Sequence, residues 1–174
     1  MAVSQRSAPE AALDELYRRP GFLIRRAQQI AVSLFLEESG ALGITNTQYG
    51  ILMVLKHRPG TDQISLAKLL GLDRSTTGMV VDKLVQTGLV NRRVGSDRRK
   101  RELILTPAGA RVLEQLAEPA RRAQARVLSA FTADERADFL GLLEKFVGTF
   151  DDSTRVPLER QRIGRKPGTR RRAA

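Results

Sequence analysis

The chain lacks cysteine and tryptophan, has one histidine among its 174 residues, and carries few aromatic side chains. Without cysteine it forms no disulfide, thiolate metal site or cysteine redox sensor, which is typical of a reducing compartment. No apolar run approaches the ~18 residues that a membrane span needs, and residues 1–10 lack the apolar segment of a signal peptide. These absences predict a cytoplasmic protein with an aliphatic core, no membrane partner, no metal and no other cofactor.

Residues that carry enzyme chemistry are also scarce. The chain has no cysteine nucleophile, and His57 is its only imidazole. It contains neither a phosphate-cradling glycine loop nor a nucleophile elbow, and its acidic residues are scattered as helix caps and surface pairs. The sequence therefore predicts a binding protein and not an enzyme.

Acidic residues are too few to balance the basic ones, so the formal net charge is +11 and the isoelectric point is about 11.1. A chain this basic usually meets a polyanion, and DNA, RNA and an anionic membrane surface are the candidates. Residues 155–174 hold eight Lys and Arg side chains against Glu159 alone, a net +7 that leaves +4 for the rest. Charge alone therefore leaves the partner open.

Apolar spacing and capping residues predict a mainly helical chain with one β-hairpin. A first amphipathic stretch covers residues 13–38 with a break at Pro20-Gly21, and capping boxes begin at Thr45 and Thr132. The predicted helices cover residues 13–38, 45–58, 62–70, 74–87, 107–129 and 133–150, and the predicted strands cover 89–94 and 102–105.

Residues 61–88 have the pattern of a helix-turn-helix unit. A short apolar helix is followed by Gly71, and a second helix then opens with Asp73-Arg74-Ser75-Thr76-Thr77. In such a unit the N-terminal residues of the second helix face base edges in the major groove. Hydroxyls can donate to or accept from bases and phosphates, and arginine can bind guanine through two hydrogen bonds. Taken alone, these residues are also typical of simple helix capping.

The hairpin that follows adds a second feature. Its loop and flanks carry six cations against Asp97 and Glu102, and such a ribbon repels itself unless phosphates neutralise it. An arginine at its tip can enter a minor groove, where negative potential is concentrated, although a solvated charged hairpin is the alternative. A helix-turn-helix followed directly by a basic wing is a more specific signal than either part. The candidate DNA-contacting residues are Arg74, Ser75, Thr76, Thr77, Lys83, Arg93, Asp97, Arg98, Arg99 and Lys100.

Four runs of sequence resemble the MarR family of bacterial regulators, in an order that matches across about residues 13–150. The runs are LAKLLGLDRSTT at 66–77, VDKLVQTGLV at 81–90, DRR at 97–99 and LTPAG at 105–109. The resemblance implies a mainly α fold with a small β-wing, in which a winged helix-turn-helix carries long N- and C-terminal dimerisation helices. It also implies a two-fold dimer that represses transcription by reading a near-palindromic operator with two copies of the helix at 74–87.

The resemblance extends to individual wing residues. Asp97 and Arg99 match the family's wing ion pair, and Arg98 matches its minor-groove arginine. The loop before Asp97 is about one residue shorter than is common in the family, which leaves the reach of Arg98 open.

The two ends of the chain indicate a dimer on physical grounds as well. Their apolar stripes are too long for the small wing core to cover, and two-fold symmetry doubles the base contacts of one short unit. Packing of the same helices within one chain is the alternative. The predicted division is a flexible N-terminus at 1–12, an N-terminal dimerisation helix at 13–44, a winged helix-turn-helix domain at 45–110, C-terminal dimerisation helices at 111–150 and a disordered basic tail at 151–174.

A ligand site is expected between the long helices and the wing domain, because the family commonly binds small aromatic acids or related anions there. Cations near an apolar crevice can hold a carboxylate or a phosphate. The run RPGFLIRR at 19–26 resembles regulators of aromatic-acid catabolism, some of which sense aromatic acyl-CoA thioesters. For Tyr49 and Met53 on the second predicted helix the alternative is a core role, and for His57 it is a surface or boundary role. The candidate ligand-binding residues are Arg25, Arg26, Gln29, Tyr49, Met53 and His57.

The leading hypothesis is a ligand-responsive repressor whose partners are double-stranded DNA, a second copy of itself and a small aromatic acid or aromatic acyl-CoA. A nonspecific architectural DNA-binding protein is the alternative, and the basic tail supports it. RNA binding through the tail is a third option, weakened because no aromatic-bearing strands offer a stacking platform. For the tail, added nonspecific DNA affinity and a dispensable end both stay open.

Overall fold

Seven α-helices and a small antiparallel sheet make up the part of the chain that the structure describes. This computed structural model describes residues 8–95 and 101–159, with the side chains of 13–95 and 101–159. The helices are α1 Ala8–Arg18, α2 Pro20–Ser39, α3 Asn46–His57, α4 Gln63–Leu70, α5 Arg74–Gln86, α6 Pro107–Leu128 and α7 Ala133–Phe150, and the strands are β1 Val90–Val94 and β2 Arg101–Leu105. The mainly helical fold with a β-wing is confirmed. No helix in the described ranges is long and apolar enough to cross a membrane.

Capping hydrogen bonds confirm the helix starts that the sequence predicts. Thr45 and Thr132 each accept a hydrogen bond from the backbone N–H three residues further on. Gln48 and Glu135 accept one in return from the N–H of the cap, which completes both capping boxes. Pro20 begins α2 directly after α1, so the break between the first two helices lies where proline was expected to put it.

The hydrophobic core lies where α3, α4 and α5 meet the wing and α6. Phe35 is the one aromatic residue among the buried core residues that the structure describes, so the core is aliphatic as expected. Each large aliphatic side chain buried in this way contributes roughly 1.5–3 kcal/mol. The largest fully buried hydrophobic side chains are Ile51, Leu52, Leu55, Leu66, Leu84, Leu103, Leu116, Val81 and Val90.

The wing has a backbone partner that the sequence did not predict. Strands β1 and β2 pair antiparallel, with Arg93 opposite Glu102. On the free edge of β2, the N–H of Gly60 donates to the carbonyl oxygen of Leu103 at 3.0 Å, and the N–H of Leu103 donates to the carbonyl oxygen of Thr61 at 3.1 Å. This pairing attaches the wing to the segment that leads into α4.

Ion pairs join the two long helices α2 and α6. The carboxylate of Glu38 accepts hydrogen bonds from Arg122 at 2.7 Å and from Arg126 at 3.1 Å, and Glu37 accepts from Arg126 at 2.8 Å. The bond from Arg122 is the main reason that the pKa of Glu38 lies below its usual 4.5. The carboxylate therefore stays ionised at lower pH than an isolated glutamate does.

Both ends of the folded part extend further than the sequence indicated. Helix α1 begins at Ala8, inside the segment predicted to be flexible, because APEAA holds strong helix formers with proline in the first turn. Residues 151–159 were assigned to the disordered tail, yet they form a 3-10 turn at Asp151–Ser153 and a segment that contacts α4. Two half-buried apolar side chains, Val156 and Leu158, hold that segment in place.

Candidate nucleic-acid interface

Helices α4 and α5 form the predicted helix-turn-helix unit. Asp62 caps α4 by accepting hydrogen bonds from the N–H groups of Ile64 and Ser65. Gly71 ends it with φ +63°, a left-handed conformation that favours glycine, and the N–H of Leu72 donates back to the carbonyl oxygen of Ala67 at 2.9 Å. Local backbone hydrogen bonds in the turn therefore determine the residue at which α5 begins.

A carboxylate organises the first turn of α5. Asp73 accepts hydrogen bonds from the hydroxyls of Ser75 and Thr76, both at 2.6 Å, and from the N–H of Thr76 at 2.8 Å. These bonds, the one from Ser75 above all, hold the pKa of Asp73 far below its usual range. Because both hydroxyl protons point to Asp73, the hydroxyls keep acceptor lone pairs, which suit the exocyclic amino groups of adenine and cytosine. Capping and base contact are thus compatible roles.

The four candidate residues in this turn differ in exposure. Arg74 and Ser75 are exposed, and Thr76 is half-buried. Thr77 was wrongly placed in the DNA-contacting set, because it is completely buried and its hydroxyl donates to the backbone oxygen of Asp73 at 2.8 Å. Helical spacing puts Thr77 on the same inward face as Val81, so it supports the helix and does not reach a ligand.

The exposed face of α5 continues past its first turn. Met79 lies four residues after Ser75 and is 66% exposed, and Lys83 lies four residues further on and is also exposed. In a major groove, apolar side chains contact the methyl group of thymine. Met79 was not among the candidate residues predicted from the sequence. The four-residue spacing of Ser75, Met79 and Lys83 is the signal that identifies it.

An ion pair links the wing to α5. A guanidinium nitrogen of Arg92 lies 2.6 Å from a carboxylate oxygen of Asp82, a contact that sequence reasoning did not predict. Arg93 and Arg101 are exposed on the two paired strands, at the end of the wing next to its loop. The other wing candidates, Asp97, Arg98, Arg99 and Lys100, lie outside the described residues, and their roles stay predictions.

The LTPAG run joins the wing to α6. Thr106 caps α6 by accepting from the N–H of Gly109 at 3.0 Å, and its hydroxyl donates to the carbonyl oxygen of Gly88 at 2.7 Å. Gly109 lies directly against the backbone of Leu89, and a Cβ placed on it would stand 2.2 Å from the carbonyl oxygen of that residue. The packing of α6 against Leu89 therefore requires glycine at position 109.

The candidate ligand residues fall into separate places. On the exposed surface of α2, Arg25 and Arg26 both donate to the side-chain oxygen of Gln29, at 3.2 and 3.0 Å. The ring of Tyr49 packs against Phe35 with 5.5 Å between centroids, which agrees with a core role. The structure thus does not bring these four residues into the cavity that Met53 and His57 line.

Met53 and His57 do share a cleft, which lies between α3 and α4. Its volume is about 300 Å³, and it is shallow and largely open to solvent. The lining residues are Met53, Val54, His57, Arg58 and Leu69. Among the described residues, no group of three or more His, Cys, Asp or Glu is placed to hold a metal ion.

Comparison with known proteins places this interface among regulators of transcription. Residues 42–100, which contain the helix-turn-helix unit and the first strand of the wing, match the sequence model of the MarR family. A protein assigned as the transcriptional regulator of the hcr operon in Thauera aromatica is 32% identical over 127 residues, which are 72% of this chain and 76% of that protein.

Two solved structures share the fold. The transcriptional repressor CouR, solved on a 23-mer DNA duplex, is 30% identical with a TM-score of 0.70, over 76% of this chain and 95% of that one. BpsR of Bordetella bronchiseptica, whose DNA binding is regulated by 6-hydroxynicotinic acid, is 26% identical with a TM-score of 0.69, over 74% of this chain and 94% of that one. CouR therefore shows this fold bound to DNA.

Proposed function

We propose, from the premise that this chain belongs to the MarR family, that it is a homodimeric repressor acting at a near-palindromic DNA operator. Like its relatives, it is a transcriptional regulator and not an enzyme. The observation that carries the proposal is the first turn of α5, where Arg74 and Ser75 are exposed above a buried face that begins at Thr77. A helix supported in this way can present side chains to base edges.

The proposed DNA surface combines α5 with the wing, within a DNA-binding domain at residues 45–110. Arg74, Ser75, Thr76, Met79 and Lys83 face the major groove. The wing, which the pair between Asp82 and Arg92 orients relative to α5, brings Arg93 to the adjacent backbone. The resemblance implies that Arg98 contacts the minor groove and that Asp97 and Arg99 form the wing ion pair, and Lys100 is proposed as a further DNA contact.

Exposed apolar side chains on the terminal helices support the dimer. Helix α7 has no buried residue, although its described residues include a phenylalanine-rich face. Contiguous apolar surface of this kind marks a protein interface, so segments 13–44 and 111–150 are proposed to cover each other across a two-fold axis. The exposed residues are Leu13, Leu16, Tyr17, Leu23, Ile24, Ile30, Leu36, Leu140, Leu142, Leu143, Phe146, Val147 and Phe150.

Footprinting tests the operator proposal. Duplexes selected by the protein from a random library should show two protected half-sites related by two-fold symmetry, with centres one or more helical turns of about 34–36 Å apart. The footprint should persist in excess nonspecific competitor DNA. Protection that spreads along the duplex and disappears with competitor would favour the architectural alternative and reject the repressor.

Placing a charge on α7 should separate the protomers. Phe146 is 46% exposed, and Phe146→Asp puts a carboxylate in the proposed apolar interface, where burial without a partner is unfavourable. Sedimentation should then give a particle of 19.3 kDa, and the two-fold footprint should be lost. Gly148→Asp adds the same charge on the opposite face of α7, where an added Cβ meets no atom within 4 Å, and should stay dimeric. A parent protein that sediments as a monomer at micromolar concentration contradicts the dimer.

A small aromatic acid or its CoA thioester is the proposed effector, and its binding is proposed to weaken DNA affinity. The regulation of BpsR by 6-hydroxynicotinic acid supports this ligand class. The cleft at Met53 and His57 supplies an apolar wall with a polar edge. Arg25, Arg26 and Gln29 on α2 form a separate cationic cluster, which is the proposed contact for CoA phosphates.

Two double variants test where the effector binds. Benzoate, 6-hydroxynicotinate and benzoyl-CoA should be compared by thermal shift and by their effect on operator affinity. Met53→Gln with His57→Gln should remove the response to the free acids, whereas Arg25→Gln with Arg26→Gln should remove only the additional effect of the CoA ester. If none of the three compounds changes operator affinity in the parent protein, this effector class is wrong.

A further inference from the structure

Three consecutive hydroxyl groups in the first turn of α5 all direct their protons to Asp73. Ser75 donates to one oxygen of its carboxylate and Thr76 donates to the other, both at 2.6 Å. Thr77 donates to its backbone oxygen at 2.8 Å. The N–H of Thr76 adds a fourth hydrogen bond, at 2.8 Å, to the oxygen that Ser75 uses. Asp73 therefore determines where every hydroxyl proton in this turn points.

The charge of Asp73 leaves the hydroxyls no other arrangement. An ionised carboxylate carries no proton, so the hydroxyl is the donor in both side-chain bonds. The bonds from Ser75 and Thr76 lower the pKa of Asp73, and the carboxylate is therefore ionised at neutral pH. Towards solvent, the exposed Ser75 and the half-buried Thr76 present oxygen lone pairs and no proton.

Only a hydrogen-bond donor can pair with hydroxyls in this state. Phosphate oxygens accept and do not donate, and the carboxylate of Asp73 occupies the start of the helix, where anions otherwise bind. In the major groove the donors are the amino groups of adenine and cytosine, whereas guanine and thymine present acceptors. The two hydroxyls are therefore suited to reading bases and not to holding the DNA backbone.

We infer that Asp73 is a specificity-determining residue of the proposed DNA surface, because it makes Ser75 and Thr76 select adenine or cytosine on the strand they contact and reject guanine or thymine. This inference depends on the proposed function, which places the first turn of α5 in the major groove. Asp73 is a positioning residue, since this turn already occupies three of the roughly four acceptor sites of its carboxylate. It acts on base choice through the two hydroxyls.

Asp73→Asn should change base choice at one position and keep it at another. Asparagine caps helices as well as aspartate does, and its amide oxygen must stay with the N–H of Thr76, because the amide nitrogen cannot accept. That nitrogen then replaces the second carboxylate oxygen and donates to the hydroxyl of Thr76, whose own proton is released. Preference at the base read by Thr76 should move to guanine or thymine. Preference at the base read by Ser75 should stay as it is.

Selection from a random duplex library measures these preferences for the full-length parent and each variant. Ser75→Ala and Thr76→Val assign the positions, because each lacks one hydroxyl and should lose preference at one base pair in every half-site. Asp62→Asn is the matched control, since Asp62 caps α4 in the same manner by accepting from the N–H and the hydroxyl of Ser65. It removes the same charge outside α5 and should keep the preferences of the parent.

Base analogues test the same contacts without altering Asp73. Purine in place of adenine, or 2-pyrimidinone in place of cytosine, removes the amino group at an assigned position. The parent should lose affinity about 3- to 10-fold for each hydrogen bond removed. Thr76→Val on the same duplexes gives the loss that comes from weaker base pairing alone, and at the Thr76 position that loss should be smaller. This measurement tests the inference even if Asp73→Asn does not fold.

Guanine or thymine at either assigned position of the operator selected by the parent would overturn the inference. Variants of Ser75 and Thr76 that lose no preference would overturn it as well, and so would an Asp73→Asn protein that keeps both preferences of the parent. An equal shift in Asp62→Asn would show that caps affect base choice through the fold alone. In all of these outcomes the parent still selects a defined operator, so the proposed function stands. A parent protein that selects no defined sequence would contradict the proposed function itself.

Discussion

Arg74→Glu is expected to reduce affinity for the selected operator at least about 100-fold. Arg74 is exposed at the first residue of α5, and each arginine contact with a base or phosphate is worth roughly 1–3 kcal/mol. The substitution removes that contact in both half-sites of a dimer and replaces it with a carboxylate facing phosphates. Fluorescence anisotropy at fixed salt measures the change, because the electrostatic part of binding varies with ionic strength.

Lys145→Glu is the matched control for this experiment. Lys145 is exposed on α7, and its reversal changes the net charge by the same amount. Charges further from the DNA than the ~8–10 Å screening length have little influence at physiological salt, so only a small change is expected. If both variants lose affinity equally, net charge and not α5 governs binding, and the nonspecific alternative is favoured.

Gly109→Ala is expected to lower the free energy of unfolding by about 3 kcal/mol or more, at the upper end for overpacked sites. The added Cβ would stand 2.2 Å from the backbone oxygen of Leu89 and 2.8 Å from the side chain of Leu105. A backbone oxygen cannot rotate away, so α6 must shift relative to the wing. Urea unfolding at one fixed protein concentration measures this, because dimerisation makes apparent stability depend on concentration.

Gly141→Ala is the comparison for Gly109→Ala. Gly141 lies inside α7 with no atom within 4 Å of an added Cβ, so alanine should stabilise the helix by roughly 0.5–1 kcal/mol. The two substitutions are chemically identical and differ only in what the new methyl group meets. A Gly109→Ala protein as stable as the parent would show that the wing and α6 are not packed as described.

Local signals account for the parts of the fold that could be predicted. Thr45, Asp73 and Thr132 each accept from the backbone N–H group three residues further on, so their effect depends only on nearby sequence. The order of helices and the two wing strands follow from the same kind of information. Arg74 and Ser75 could be placed on the outer surface because they immediately follow the cap Asp73.

Contacts between distant residues account for the parts that could not be predicted. Thr77 carries a small hydroxyl side chain, as its neighbours Ser75 and Thr76 do, yet the packing of α5 on the core buries it. The pairing of Gly60 with Leu103 and the ion pair of Asp82 with Arg92 join segments that no local pattern relates. The candidate ligand residues Arg26 and Met53 were assigned to one site by the family resemblance, and the helices place them apart.

The helices, the first turn of α5 at 73–76 and the excess of positive charge could all be predicted from the amino-acid sequence, because capping, periodicity and composition are properties of neighbouring residues. Which hydroxyls face outward, how the wing pairs with the segment before α4 and where residues 154–159 lie follow from the packing of the folded chain. Each of these depends on a contact such as that of Leu158 with Gly71, made between segments that folding brings together from far apart in the chain.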